Sequence, residues 1–266
     1  QVEQGNFSVR AEIQSSNEIG ELGRDFNIMV SEIEKLLRRI TEQQELKRKS
    51  ELKALQMQIN PHFLYNTLDS IIWMAEGGKQ QEVISMSSSL ARLFRLSISK
   101  GKEIIDIGSE IEHVRNYLTI QKIRYKDRLD YRIEVPENLK SYKTVKIILQ
   151  PLVENAIYHG IKNKEGPGLV IIGGRQHEGG IELFVQDDGV GMSESTLRTL
   201  QERLAGKKID TPQDPNLLHS GLGVHNVDER IKLYFGPSFG LSFESAEDVG
   251  TTVRIRLPAI QGDIEE

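Results

Sequence analysis

Between Ile19 and Ile40 the apolar residues fall at Ile19, Leu22, Phe26, Met29, Ile33, Leu36 and Ile40, alternating steps of three and four without a miss. A 3.5-residue period on so narrow a stripe reads as the seam of a coiled coil, best satisfied by a parallel dimer. The alternative, an amphipathic helix packed on its own chain, asks for a broader apolar face than this one. Continued in the same phase, the seam lands on Gln43, Lys47 and Ser50, while apolar residues resume at Leu52, Leu55 and Ile59. The polar stretch "TEQQELKRKSE" therefore carries a phase change, which alters supercoiling locally and suits the passage of a rotational signal.

The next stretch, "LQMQINPHFLYNTLDS" from Leu55 to Ser70, keeps a helical rhythm but contains Pro61, followed by His62. A proline inside a helix removes a backbone donor and crowds the carbonyl four residues earlier, at a cost of about 3 kcal/mol. Either Pro61 opens a new helix, or it bends a continuous one just before His62. Leu52, Leu55, Ile59 and Phe63 share a stripe of roughly 80°, and His62 lies about 70° from its centre. His62 flanks the seam and does not fill it.

A second helical pattern with Val83, Ile84, Met86, Leu90, Leu93, Phe94, Leu96 and Ile98 follows a turn at Gly77 and Gly78, which makes a helical hairpin. Two hairpins make a four-helix dimer core. A third helix is expected from Ser109 to about Lys126, with a capping signature in Ser109 and Glu112. From Tyr131 the texture changes to short strands and helices, so a domain boundary is expected between Arg128 and Glu137. Strands are predicted at Tyr131 to Val135, Leu169 to Gly173, Ile181 to Gln186, Leu241 to Ser245 and Thr251 to Leu257. Helices are predicted near Thr144 to His159, Glu194 to Ala205 and Val224 to Tyr234.

At 266 residues the chain suits about two domains. Its net charge of -5 offers no basic excess for nucleic acid. There is no cysteine, which excludes disulfides and thiolate catalysis. No apolar run approaches the roughly 18 to 20 residues that span a bilayer. The chain opens on Gln1 in the middle of a pattern, so a fragment of a longer protein is expected, with a membrane anchor in the missing N-terminal part.

Chemistry concentrates in the C-terminal half. In "VKIILQPLVENAIYHGI" the apolar residues Val145, Ile148, Leu149, Leu152, Val153, Ala156 and Ile157 make one core face, and Asn155 and His159 stand four apart on its flank. The strand "IELFVQ" ends in "DDGVGM", which places Asp187 at a strand terminus before Gly189 and Gly191. In "SGLGVHNVDER" Gly221 and Gly223 stand directly before a predicted helix, where free N–H groups favour phosphate. "GTTVRIRLP" closes the set, with Thr251 at the start of the last strand. Each motif alone is weak.

In this order and spacing the set resembles the GHKL (Bergerat) ATP-binding fold. Upstream, "QINPHFLYNTLDSI" and "NYLTIQKIRYKDRL", joined to "LQPLVENAIYHGI", resemble LytS/YesM-type bacterial sensor histidine kinases, and "NEIGELGRDFNIMV" resembles the second half of a HAMP linker. The expected architecture is therefore multidomain: an all-α coiled coil and helical-hairpin dimerisation domain, then an α+β sandwich of GHKL type. Its divisions are 1–50, HAMP remnant and signalling coiled coil; 51–130, dimerisation and phosphotransfer helices; and 131–266, the ATP-binding domain.

The resemblance implies ATP and Mg²⁺ as cofactors, His62 as phosphoacceptor and Asn66 as an orienting residue one turn on. It further implies Asn155 as the Mg²⁺ ligand, His159 on the phosphate side, Asp187 on the adenine amino group, Gly189 and Gly191 shaping the base pocket, and Thr251 supporting the adenine. Gly221 and Gly223 would hold phosphates under a lid spanning about Gly206 to Ser220. The implied partners are a second copy of the chain and a response-regulator receiver domain, and the implied setting is the cytoplasmic side of a cell-membrane protein. Two positions depart from related patterns. Phe63 stands where many histidine kinases carry an acidic residue, with Glu110, Glu112 and Glu154 as the remaining carboxylates for a base. Pro151 stands where GHKL ATPases and anti-sigma serine kinases carry a water-activating glutamate. An ATPase, or an adaptor that only binds nucleotide, is the competing function.

Overall fold

The structure, a computed structural model, describes residues 7, 9–12, 18–58, 61–97, 103–177, 179–204 and 215–262. Ile59 and Ile98 of the apolar patterns, and residues 206–214 of the expected lid, lie outside the described residues. Two compact units divide the chain, Gln1–Leu64 and Tyr65–Glu266.

The first unit is built on helix α1 (Glu18–Gln58), 41 residues long. Its seam residues stay open in the single chain: Leu22 is 69% exposed and Leu36 52%. A different face is used internally. The Asn27 side chain bonds both backbone groups of Ala11, accepting its N–H at 2.8 Å and donating to its carbonyl at 3.0 Å, and Arg10 pairs with Glu34 at 3.1 Å. Val30, on the face marked by Asn27 and Glu34, is buried.

Helix α2 spans Pro61–Glu76. Pro61 is the first described residue of α2, and the bend expected just before it falls on residues 59 and 60, which lie outside the described residues. Gly78, at φ +70°, ends α2 in the left-handed conformation that a helix C-terminus favours. Helix α3 (Gln80–Ser97) follows and packs along α4 (Ile107–Tyr125).

Strand β1 (Ile104–Asp106) precedes α4 and pairs antiparallel with β3 (Lys143–Val145). Neither strand is predicted from the sequence. The expected cap at Ser109 is also replaced. Asp106 occupies the N-cap position without a side-chain capping bond, and its carboxylate pairs with Lys143 at 2.9 Å. Strand β1 and helix α4 belong to the same compact unit as the sheet.

That sheet has the order β2-β4-β5-β7-β6, with β2 (Leu129–Glu134) parallel to β4 (Gly168–His177). Strands β5 (Gly180–Asp187), β6 (Gly240–Ala246) and β7 (Gly250–Leu257) complete it in antiparallel pairings. Period-two alternation sends Ile181, Leu183, Val185, Val253, Ile255 and Leu257 to one buried face. Helices α4, α5 (Leu149–Asn155) and α7 (Pro215–Phe235) contribute Ile111, Val114, Leu152, Val153, Val227 and Ile231 to the same core. The other face carries exposed Arg132, Gln186, Ser242 and Arg256. Helix α6 (Glu194–Leu204) lies between β5 and α7 in sequence and packs against β6.

A prediction follows from the open seam. Leu22→Glu combined with Leu36→Glu should shift the chain toward monomer in sedimentation equilibrium while leaving its helical circular dichroism per residue nearly unchanged. Dimers of wild-type strength in the double variant would rule the seam out as the interface.

Candidate functional site

One open cleft collects five of the predicted residues of the C-terminal half. Asn155, His159, Asp187, Gly191 and Thr251 line it, together with Leu152, Ala156, Gly160, Val185, Met192, Arg203, Val224, Phe243 and Val253. A largely apolar wall with few polar groups is the usual make-up of a small-molecule site.

The helix expected over Thr144 to His159 is three elements in the structure: β3, then α5 from Leu149, then a π-helical turn over Ala156–Ile161. Pro151 is the third residue of α5, still within the first turn, where its missing donor breaks no bond. The π turn widens the helix just past Asn155 and brings Gly160 against Asp187. Such turns often mark functional sites. A Cβ on Gly160 would collide with the Asp187 carboxylate, and one on Gly189 would collide with the Gly160 backbone.

Asp187 ends β5 at the cleft floor and is 6% exposed. Its Oδ1 accepts the Gly189 N–H at 2.9 Å, and the Thr251 N–H also reaches the carboxylate. Burial outweighs both donors and pushes its pKa up from an ordinary 3.8 to about 6. Taking a carboxylate out of water disfavours its charged form, and no arginine or lysine pairs with it directly among the described residues. The arrangement suits a ligand that brings a hydrogen-bond donor to the cleft floor, as an aminopurine edge does.

Loop positions around Asp187 are fixed by Ser245. Its hydroxyl accepts the Met192 N–H at 2.9 Å, donates to the Gly250 carbonyl at 3.0 Å and meets the Thr251 hydroxyl at 2.9 Å. Gly191, at φ +66°, would drive a Cβ into the Ala246 carbonyl. His159 stands exposed on the rim, and partial desolvation of its ring holds its pKa below the usual histidine value.

Other predicted residues fall elsewhere. Gly221 and Gly223 sit inside α7, because that helix starts at Pro215 and not at Val224. Their N–H groups lie in the helical ladder and do not point as free donors from a helix start, which corrects the expected phosphate cradle for this conformation. His62 is exposed and Asn66 half-buried on α2, with the buried Phe63 beside them as an anchor. The three carboxylates considered as a base are committed. Glu110 is fully buried and accepts backbone N–H groups, Glu112 pairs with Arg115 at 3.2 Å, and Glu154 accepts Gln150 at 2.8 Å.

Comparison with known proteins agrees in three segments. Residues 1–35 match the HAMP domain, residues 50–129 the histidine kinase model, and residues 141–261 the histidine kinase-, DNA gyrase B- and HSP90-like ATPase model. Sensor histidine kinase YesM of Bacillus subtilis is 36% identical over 92% of this chain. The chain belongs to the sensor histidine kinase family. BtsS of Escherichia coli is 32% identical over 79% of the chain, and the chain spans 39% of YesM and 33% of BtsS. The solved catalytic domain of histidine kinase ThkA is 19% identical over 60% of this chain and 97% of its own, at a TM-score of 0.42. No helix among the described residues is long and apolar enough to cross a membrane.

Several cleft residues of this histidine kinase chain escape a reading by motif. Gly160 has a signal in retrospect, a glycine embedded in a helical run beside His159. Met192, Arg203 and Phe243 have none, since only the folded register brings them to the cleft.

The raised pKa of Asp187 sets a pH dependence. The folded state holds this proton more tightly than the unfolded chain, so the contribution to stability is fully present below pH 3.8 and is lost as pH rises through about 6. The interval corresponds to about 3 kcal/mol. The stability of wild type minus that of Asp187→Asn, from urea unfolding in the absence of nucleotide, should therefore fall between pH 4 and pH 7. A flat difference curve would remove the assigned shift.

Proposed function

We propose that this chain is the kinase part of a two-component sensor: it autophosphorylates His62 from ATP and passes the phosphoryl group to an aspartate of a response-regulator receiver domain. The observation that carries the reading is a single cleft holding Asn155 and Asp187, in a chain that also presents an exposed His62 on α2.

The cleft fits ATP by shape and by chemistry. The Asp187 carboxylate takes the adenine amino group, in a space that Gly160 and Gly191 leave open by lacking a Cβ. Asn155 offers one neutral oxygen toward the phosphates. Among the described residues no cluster of three His, Cys, Asp or Glu side chains is present, so Mg²⁺ would be held by Asn155, phosphate oxygens and water, a set that suits this ion. When bound, Mg²⁺ supplies charge neutralisation on the transferred phosphoryl group.

His62 must be a neutral imidazole at the start. One ring nitrogen forms the N–P bond with its lone pair while the P–O bond to departing ADP breaks. The proton on the other nitrogen leaves to solvent, so bond formation itself needs no acidic neighbour at Phe63. Burial of Phe63 keeps the adjacent imidazole on the exposed side of α2. Asn66, one turn on, lies where it can orient the ring or a water. The exposed α1 seam and exposed Tyr65, Leu68, Ile72 and Trp73 on α2 support a homodimer. The HAMP match supports a place on the cytoplasmic side of a membrane receptor. An ATPase reading is disfavoured by Pro151, which leaves no carboxylate at the water-activating position.

Incubation with γ-labelled ATP and Mg²⁺ tests the reading. Wild type should gain acid-labile label, His62→Gln should gain none, and Asn155→Ala should lose at least about 100-fold in rate, the scale of a lost transition-state contact. Full labelling of His62→Gln would overturn it. Mixing the two variants distinguishes transfer within a chain from transfer across a dimer.

The glycines of α7 give a second test. Glycine costs about 1 kcal/mol against alanine inside a helix, and a Cβ at Gly223 would meet nothing within 4 Å. Gly223→Ala should therefore raise unfolding stability by up to about 1 kcal/mol. It should also weaken ATP binding, if the phosphates need this segment to leave the helix. Stabilisation with unchanged ATP affinity would separate Gly223 from the phosphates.

A further inference from the structure

Helix α5 begins at Leu149, and its first backbone donors face Glu110 of α4. That carboxylate is 0% exposed and accepts N–H groups from Ile147 at 2.7 Å, Ile148 at 2.8 Å and Leu149 at 2.8 Å. Ile147 holds φ +55°, a left-handed conformation that a β-branched residue disfavours. With the right-handed Ile148 after it, the turn aims consecutive N–H groups at one anion. The residue before it is gripped as well: Lys146 pairs with Glu103 at 2.8 Å, and Arg230 of α7 reaches both Glu103 at 3.1 Å and the Lys146 carbonyl at 3.0 Å.

The far end of the same helical run is held differently. The Val190 N–H donates to the Gly160 carbonyl at 3.3 Å, and Gly160 lies against Asp187. The run is thus fixed at both ends, with Asn155 between Leu149 and Gly160.

We infer that Glu110 is a positioning residue for the phosphate half of the cleft, setting the place of α5 and with it the Asn155 side chain while touching no ligand itself. The inference rests on the reading above, in which Asp187 meets the base and Asn155 the phosphates with Mg²⁺. It separates the two halves of the ligand. Loosening the start of α5 releases Asn155, whereas the contact of Gly160 with Asp187 and Gly189 keeps the base end in place. A protein merely destabilised by the change loses both halves alike.

The test measures equilibrium binding of two probes, adenosine and a non-hydrolysable ATP analogue with Mg²⁺, to the 266-residue chain by calorimetry or ligand-observed NMR. Glu110→Gln keeps the length of the side chain but turns one acceptor oxygen into a donor facing backbone N–H groups. Adenosine affinity should stay within about twofold, and analogue affinity should fall on the order of 10- to 100-fold, the scale of lost support behind a metal ligand. Equal loss for both probes, or for neither, overturns the positioning role while the nucleotide reading stands. Wild type that binds neither probe overturns the nucleotide reading and this inference with it. Should Glu110→Gln not fold, Glu110→Asp keeps the charge one methylene short of the three donors, and the same comparison decides.

Discussion

Gly160 against Gly189 is a contact between two backbones with no side chain between them, and the cleft takes its dimensions from it. Because neither residue carries a Cβ, the π turn after α5 lies directly on the end of β5. Asp187 is then enclosed from one side by a helix and from the other by Gly250 and Thr251 of β7. A methyl group on either glycine would push the helix off the strand, and Asn155 would move with it. The wall of the cleft and the placement of its polar groups are therefore one problem in packing.

That packing imposes an electrostatic cost. Asp187 is buried with backbone N–H groups for partners, and its pKa near 6 records how poorly the site solvates a full negative charge. A residue chosen for stability would not be a carboxylate there. Ile147 is a similar case, since a β-branched residue at φ +55° costs about 1 to 3 kcal/mol that surrounding bonds must offset. Both unfavourable features belong to the walls and supports of one cleft, and natural proteins concentrate such conflicts between local preference and global fold at functional places.

The sequence makes most of the sheet legible, because Ile181, Leu183 and Val185 or Val253, Ile255 and Leu257 alternate strictly where one face is buried. It makes Asp187, Gly191 and Thr251 legible as a site only through their order along the chain. Short strands β1 and β3 are not legible. Three residues carry too little pattern, and their pairing depends on a partner some forty positions away. The start of α5 is misread for the same reason: Val145 and Ile148 continue a helical period, but Val145 is committed to a strand and Ile147 reverses the backbone. In the sequence Glu110 is only one of three carboxylates available for a base, because a buried carboxylate is recognised only once its three donors, about 37 residues on, are folded against it.

Helix α7 shows the limit of reading a glycine motif by position alone. Before a helix, Gly221 and Gly223 would offer free donors to a phosphate; inside one, both weaken helical propensity, and Gly223 leaves an unobstructed surface. Two glycines two positions apart weaken helical propensity just before the helix borders the cleft through Val224. Buried Asp228, paired with the half-exposed Lys232, holds the rest of the helix to β6 by accepting the Leu241 N–H at 2.8 Å. The Asp228 bond therefore ties α7 to the sheet one turn past Val224, which lines the cleft.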